Sequence, residues 1–202
     1  MIQHVWGLLH NPDHEWQQIS QEHESVGHLY MHHVLWLAAI PVISSLIGTT
    51  RFGWSFSAGH GYHVSLVNGV ALAIAFYALI LLAVTLVGSV LYWKAQKFEQ
   101  RSSQRECIVF AGYTATPLFL SGIVAVYPIF WLCLLAMTLG IIYSGYLLYR
   151  GIPSFLGISH RHGFILSTTT LGFGVLILEL LLVIVVLLWS MGSESSVVWQ
   201  FF

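Results

Sequence analysis

The chain predicts an all-α integral membrane fold of five transmembrane helices, with an amphipathic helix ahead of them on the cytoplasmic side. Two observations carry that expectation. Among 202 residues, 57% are hydrophobic and only 7% charged, with a mean hydropathy of +0.79, so a water-soluble fold would lack the polar atoms to cover its surface. The apolar residues also fall into five runs long enough to cross a bilayer, which takes about 20 residues as helix.

Those runs lie near Tyr30 to Thr50, Val64 to Trp93, Cys107 to Val124, Ile129 to Tyr149 and Thr170 to Ser190. The second is long enough to tilt or to project a turn beyond the hydrocarbon. The tight corner at Ala125-Val126-Tyr127-Pro128 makes the third and fourth a helical hairpin. The expected division is therefore an amino-terminal segment over residues 1–29, a membrane domain over 30–190 and a short tail over 191–202. No stretch is left for a separate soluble domain, and a net charge of −1 gives no reason to expect nucleic acid as a partner.

Basic residues set the orientation. Lys94, Lys97, Arg101 and Arg105 fall between spans two and three, Arg150 and Arg161 between spans four and five, and only Arg51 on the other side. The positive-inside rule puts the first two groups in the cytoplasm. With five spans, the amino terminus is then cytoplasmic and the carboxyl terminus, with Glu194, lies on the far side. The first apolar run starts near residue 30 behind a His-rich, acidic segment, unlike a cleavable signal, so it is expected to persist in the mature protein. Cys107 and Cys133 would stand at opposite faces as separate thiols.

Asn11-Pro12-Asp13 has the grammar of a helix start: a cap, a proline at the first position and an acid at the positive end of the dipole. Trp16, Ile19, His23 and Val26 then recur at spacings of three and four, away from Gln17, Gln21 and Glu24. Ile2, Val5, Trp6, Leu8 and Leu9 suggest a shorter apolar turn before it. Two placements fit equally, flat in the membrane interface or packed on the protein's own loops.

Gly112-Tyr113-Thr114-Ala115-Thr116-Pro117 places a Gly-Tyr-x-x-x-Pro pattern inside the third span. With five spans and a cytoplasmic tail, this resembles the Yip family, the Ypt-interacting membrane proteins. The resemblance to its bacterial branch runs along nearly the whole chain, through His4-Val5-Trp6-Gly7-Leu8, His32-His33-Val34, Ala39-Ile40-Pro41-Val42-Ile43, the stretch from Val109 to Gly122, and Gly151-Ile152-Pro153-Ser154-Phe155-Leu156. It implies an inner-membrane protein of the same fold, with no agreed biochemical role, and a non-enzymatic protein fits it. Eukaryotic members bind Rab-type GTPases through an additional Asp-Leu-Tyr-Gly-Pro motif. This chain lacks that motif, which removes the ground for expecting GTPase recruitment.

Four sets of polar residues could carry chemistry. Glu179 is the only acid within a span, and a carboxylate there costs roughly 2.5 to 3.5 kcal/mol, so it is expected to face the bundle interior. Tyr77, Tyr113, Thr114, Thr116 and Tyr143 are its candidate partners. Glu179 then reads either as a proton or cation site or, with more weight, as a protonated acid bonded to a hydroxyl. Pro41 and Pro117 interrupt two spans near their middles, as in transporter sites built on broken helices, although most membrane prolines merely kink.

Glu24, His28 and His32 recur every four residues, within an arc of roughly 80° on one helix, and with His33 could hold a divalent metal, the one cofactor the chain suggests. Gly27 could break that helix, and solitary histidine pairs are more often interfacial, as at His60 with His63 and His160 with His162. His28-x-x-x-His32-His33 also looks like one histidine box of the membrane desaturases. Such a di-iron site gathers about eight imidazoles on one face, whereas His60 and His63 fall on the other. Small residues at Ala71 with Ala75 and at Gly140 with Ser144 allow close helix packing, expected within the subunit, with a homo-oligomer left open.

The expectation is thus a membrane adaptor or bilayer-organising protein in contact with lipid and an unknown protein partner. A small transporter or channel for protons or divalent cations is the alternative, and a metal-dependent membrane oxidoreductase a remote third.

Overall fold

The computed structural model describes residues 2–22, 24–53, 64–97, 102–157 and 160–197. His23, His60, His63 and Arg101 lie outside them. The described residues form helices, with no strand among them. Five are long and apolar enough to cross a membrane: Val26–Phe52, Leu66–Ala95, Gln104–Val126, Phe130–Phe155 and Arg161–Leu188.

Two short helices come first, α1 (Ile2–His10) and α2 (Pro12–Glu22), the second opening on Pro12 as the Asn-Pro-Asp grammar requires. The first span is composite. It joins α3 (Val26–Leu29), a π-helical turn at Tyr30–Val34, α4 (Leu35–Ile47) and a second π-helical turn at Gly48–Phe52. Ser25 caps it, its hydroxyl accepting from the backbone of His28.

The second span is the unbroken α5 (Leu66–Ala95). The third begins at α6 (Gln104–Thr114) with a capping box, in which Ser103 and Glu106 each bond the other's backbone, and Ser-x-x-Glu is a signature that the sequence displays openly. After Ala115 it resumes as α7 (Thr116–Ser121) and tightens into a 3-10 turn at Gly122–Val126. The fourth is α8 (Phe130–Phe155), ended at the left-handed Gly157 (φ 65°), and the fifth α9 (His160–Val197), which carries helix well into the stretch expected as tail.

The two prolines behave differently. Pro117 sits in the first turn of α7, where the span breaks as expected. Pro41 lies inside a continuous α4 and causes no interruption. It is instead the seat of a crossing, because a Cβ on Gly122 would run into the ring of Pro41. A close contact between α5 and α6 is made likewise, with a Cβ on Gly88 falling 2.6 Å from the Cα of Ile108.

The third span is the core and the fifth the periphery. Of the most apolar stretch in each, 61% is buried in the third and 6% in the fifth. Helix α9 packs along α5 and α8 and leaves its remaining surface open. Gly140 meets Ser121 and Leu118, so the Gly140 and Ser144 pair serves packing within the subunit. Cys107 and Cys133 are free thiols, one buried and one half-buried.

The amino-terminal helices form a cap on one end of the bundle. Trp16 and Ile19 are buried while Gln17, Gln18 and Gln21 are exposed, and the Trp16 indole lies 4.6 Å from the Phe110 ring and 5.8 Å from that of Phe155. Gly151 makes room, since a Cβ there would meet the Trp16 indole at 2.7 Å. Packing on the protein itself, the second of the two placements, is the one these contacts describe. The cap also shares its end of the molecule with the basic loops, because Arg150 pairs with Asp13 at 3.3 Å and Arg105 donates to the carbonyl of Glu24.

Trp16 is fully buried with its indole N–H unpartnered, so shape and area rather than a polar contact hold it. Trp16→Ala should cost about 3 kcal/mol and free the cap to limited proteolysis between residues 2 and 25. Trp16→Phe, which deletes the orphan donor and keeps most of the area, should leave the thermal midpoint in detergent nearly unchanged.

Candidate functional site

Tyr113, the central residue of Gly-Tyr-x-x-x-Pro, stands where the cap meets the bundle. It is 2% exposed, and its hydroxyl donates to Glu24 Oε2 at 2.7 Å across 89 residues of chain. The other oxygen, Glu24 Oε1, lies 2.6 Å from His28 Nδ1. The backbone carbonyl of Glu24 accepts from Arg105 Nε at 2.8 Å. Glu24 thus joins the cap, the start of the first span and the start of the third, with its side chain only 7% exposed. Such charge-assisted bonds are each worth about 1.5 to 3 kcal/mol.

Two histidines flank the Tyr113 ring. His4, from α1, meets it edge-on at 5.8 Å, while His4 Nδ1 lies 2.6 Å from Glu15 Oε1 and Nε2 lies 3.6 Å from Glu22 Oε2. His33, from the π-helical turn, lies against it at 4.4 Å with Nε2 2.9 Å from Thr116 Oγ1. His33 is 1% exposed and its Nδ1 has no partner. Gly112 is required beside them because a Cβ there would press on Leu29 and Val34 of the first span. The three family residues therefore have separate duties: Gly112 lets the first span approach, Tyr113 holds the cap, and Pro117 breaks the span beside Thr116.

Several expectations need correction. Glu179 does not face the bundle interior; it lies on the exposed side of α9. Each hydroxyl expected to meet it is engaged elsewhere. Tyr77 donates to the Leu35 carbonyl, Thr114 to that of Phe110, and Tyr143 to those of Leu8 and Leu9, while Tyr113 and Thr116 serve Glu24 and His33. Insertion cost favours a partner for an acid in hydrocarbon but does not set the direction in which the acid faces.

The metal set also fails to converge. His28 and His32 stack at 4.2 Å on the exposed side, whereas His33 turns inward to Thr116. No three acidic, histidine or cysteine side chains are placed to hold a metal ion among the described residues. A groove of about 200 Å³ lies beside Glu24, between Ile19, Ser20, Ser103, Arg105 and Phe155, at the seam between cap and bundle.

Sequence reasoning missed His4, Glu15, Glu22 and Arg105. His4 was already marked by its place in the family-like opening stretch. The other three are ordinary surface types whose pairing depends on the cap folding back, which no local spacing encodes.

A Yip1 domain profile matches residues 6–183. The chain belongs to the Yip family. It is 52% identical to the inner membrane protein YohC of Escherichia coli K12 over 191 residues, covering 95% of this chain and 98% of that one, and equally to YohC of Escherichia coli O6:H1. No solved structure matches. The profile takes in the cap from Trp6 onward, Tyr113 and four full spans, and it ends four residues beyond Glu179 in the fifth.

Tyr113→Phe removes the hydroxyl and leaves Glu24 without one of its two side-chain partners. The expected outcome is a loss of about 1 to 2 kcal/mol, read as faster amide exchange over residues 24–28 with the exchange of α5 unchanged. Glu24→Gln, which keeps the acceptor oxygen but removes the charge facing His28, should have the smaller effect.

Proposed function

We propose that this Yip-family chain is a non-enzymatic inner-membrane protein, acting as a membrane adaptor or bilayer-organising element that presents its amino-terminal cap to the cytoplasm. The observation that carries the reading is the use of the family motif. Its tyrosine is spent on holding the cap through Glu24, not on lining a path through the bundle.

The location follows from the names of the two relatives. A cytoplasmic cap is supported by its neighbours, since Arg150 pairs with Asp13, Arg105 bonds the Glu24 carbonyl beside it, and basic loops tend to stay inside. The cap has an outer surface to offer: Trp6 is 62% exposed and stacks on His10, also exposed, at 4.2 Å. Exposed aromatics of this kind are the usual anchors of protein contacts.

A transporter reading draws less support. Its three expected elements stand apart, with Glu179 facing outward, Pro41 inside an unbroken helix and His33 bonded to Thr116. The groove at the cap is also below the roughly 300 Å³ at which ligand sites begin.

Proteoliposomes holding the purified chain should pass protons and divalent cations no faster than protein-free vesicles, with Glu179→Gln making no difference. Partner cross-linking from a photoreactive residue at His14, on the exposed face of α2, should be abolished by Trp6→Ala with His10→Ala. Flux above background that falls with Glu179→Ala would overturn the adaptor reading in favour of transport.

A further inference from the structure

Glu179 lies nine residues inside the end of its span at Leu188, about 13 Å along the helix axis. It is exposed there, with no hydrogen bond or ion pair to it among the described residues. Its surroundings are apolar, with Leu176, Leu180, Val183 and Val186 each exposed by 54 to 60%. A lone carboxyl group in hydrocarbon is held at a cost of roughly 2.5 to 3.5 kcal/mol. The chain's own bundle offers no relief, because Glu179 points away from it and Lys94, Arg105, Arg150 and Arg161 sit near the ends of their spans.

The exposed side of α9 has a regular seam. Gly172, Leu176, Glu179, Val183 and Val186 follow one another at steps of four, three, four and three, a repeat of 3.5 residues, and each is exposed or half-buried. That repeat is the one by which two parallel helices pack along a left-handed crossing. Gly172, two turns before Glu179 on the same side, has nothing within 4 Å of where a Cβ would stand, so a second backbone can approach closely there.

We infer that this seam is a homodimer interface, in which α9 of a second copy packs parallel to the first and the two Glu179 side chains hydrogen-bond across the axis. The occupant is a second copy because of depth. Any copy inserted in the same orientation carries its own Glu179 at the same level, and a two-fold axis along the bilayer normal sets the two face to face. A protonated carboxyl group is both donor and acceptor, so two of them close a pair of hydrogen bonds and neither is left bare. The packing of α9 on α5 and α8 uses its other side, so the contact needs no rearrangement within the subunit.

Subunit counting by photobleaching, on the full chain with a carboxyl-terminal fluorescent tag in a pure lipid bilayer, tests this. The unmodified chain and Glu179→Gln should bleach in two steps. Glu179→Leu, which removes the paired hydrogen bonds, and Gly172→Leu, which blocks the close approach, should each raise the dissociation constant about tenfold. Leu139→Phe on the exposed side of α8 should have no effect. With Cys107 and Cys133 replaced by alanine, Val183→Cys should cross-link to itself and Leu139→Cys should not. Single-step bleaching of the unmodified chain at every density would mean that lipid or another protein covers the face. That result, or a dimer untouched by both Glu179→Leu and Gly172→Leu, would overturn the inference.

Discussion

Hydrocarbon supplies no hydrogen bonds, and this deficit arranges most of the polar groups in the molecule. Hydroxyls within the spans turn to backbone carbonyls one turn back, as Thr114 does to Phe110 and Thr85 to Leu81, or reach to a neighbouring helix, as Tyr77 does to Leu35 and Tyr30 to Leu81. Where the third span breaks at Pro117, Thr116 and His33 satisfy one another in the gap. The cap extends the same logic to the end of the bundle. Without it, Tyr113 would lose the edge contact of His4 and Phe110 the indole that covers it.

The cap also explains how Gly-Tyr-x-x-x-Pro works as a unit. Glycine, tyrosine and proline lie on one span, yet they address three different neighbours: the first span, the amino-terminal segment and the break in their own helix. A change at any of them therefore disturbs a different joint. Their common effect is to keep the first span, the third span and the cap in one arrangement at the same end of the molecule.

Much of the architecture was legible because its causes are local. Apolar run length marked all five spans, and Asn11-Pro12-Asp13 marked the start of α2. The span ends were less legible. Helix α9 begins about ten residues before the apolar run suggests, because Thr168 and Thr169 fold their hydroxyls back onto the carbonyls of Phe164 and Ile165 and cost the helix little. The candidate site was legible only in part. Tyr113 stands out by its motif, but the spacing of its partner Glu24 and His28 points to a metal pair, whereas their 2.6 Å contact is a hydrogen bond in a set that Tyr113 completes. Glu179 escapes the sequence because the cost of a carboxyl group in hydrocarbon calls for a partner and sets no direction.

Tyr143 bonds the carbonyls that end α1, joining residues 134 and 135 positions apart. Ribosomes add roughly 5 to 20 residues each second, so the first helix to emerge waits on the order of ten seconds before its seat on the fourth span has been made. During that interval Trp16 and Leu8 have nowhere of their own to go. The earliest part of the chain to be synthesised is thus among the last to settle, and nascent protein passes through a stage in which its leading end is open to the insertion machinery or to any chaperone that meets it.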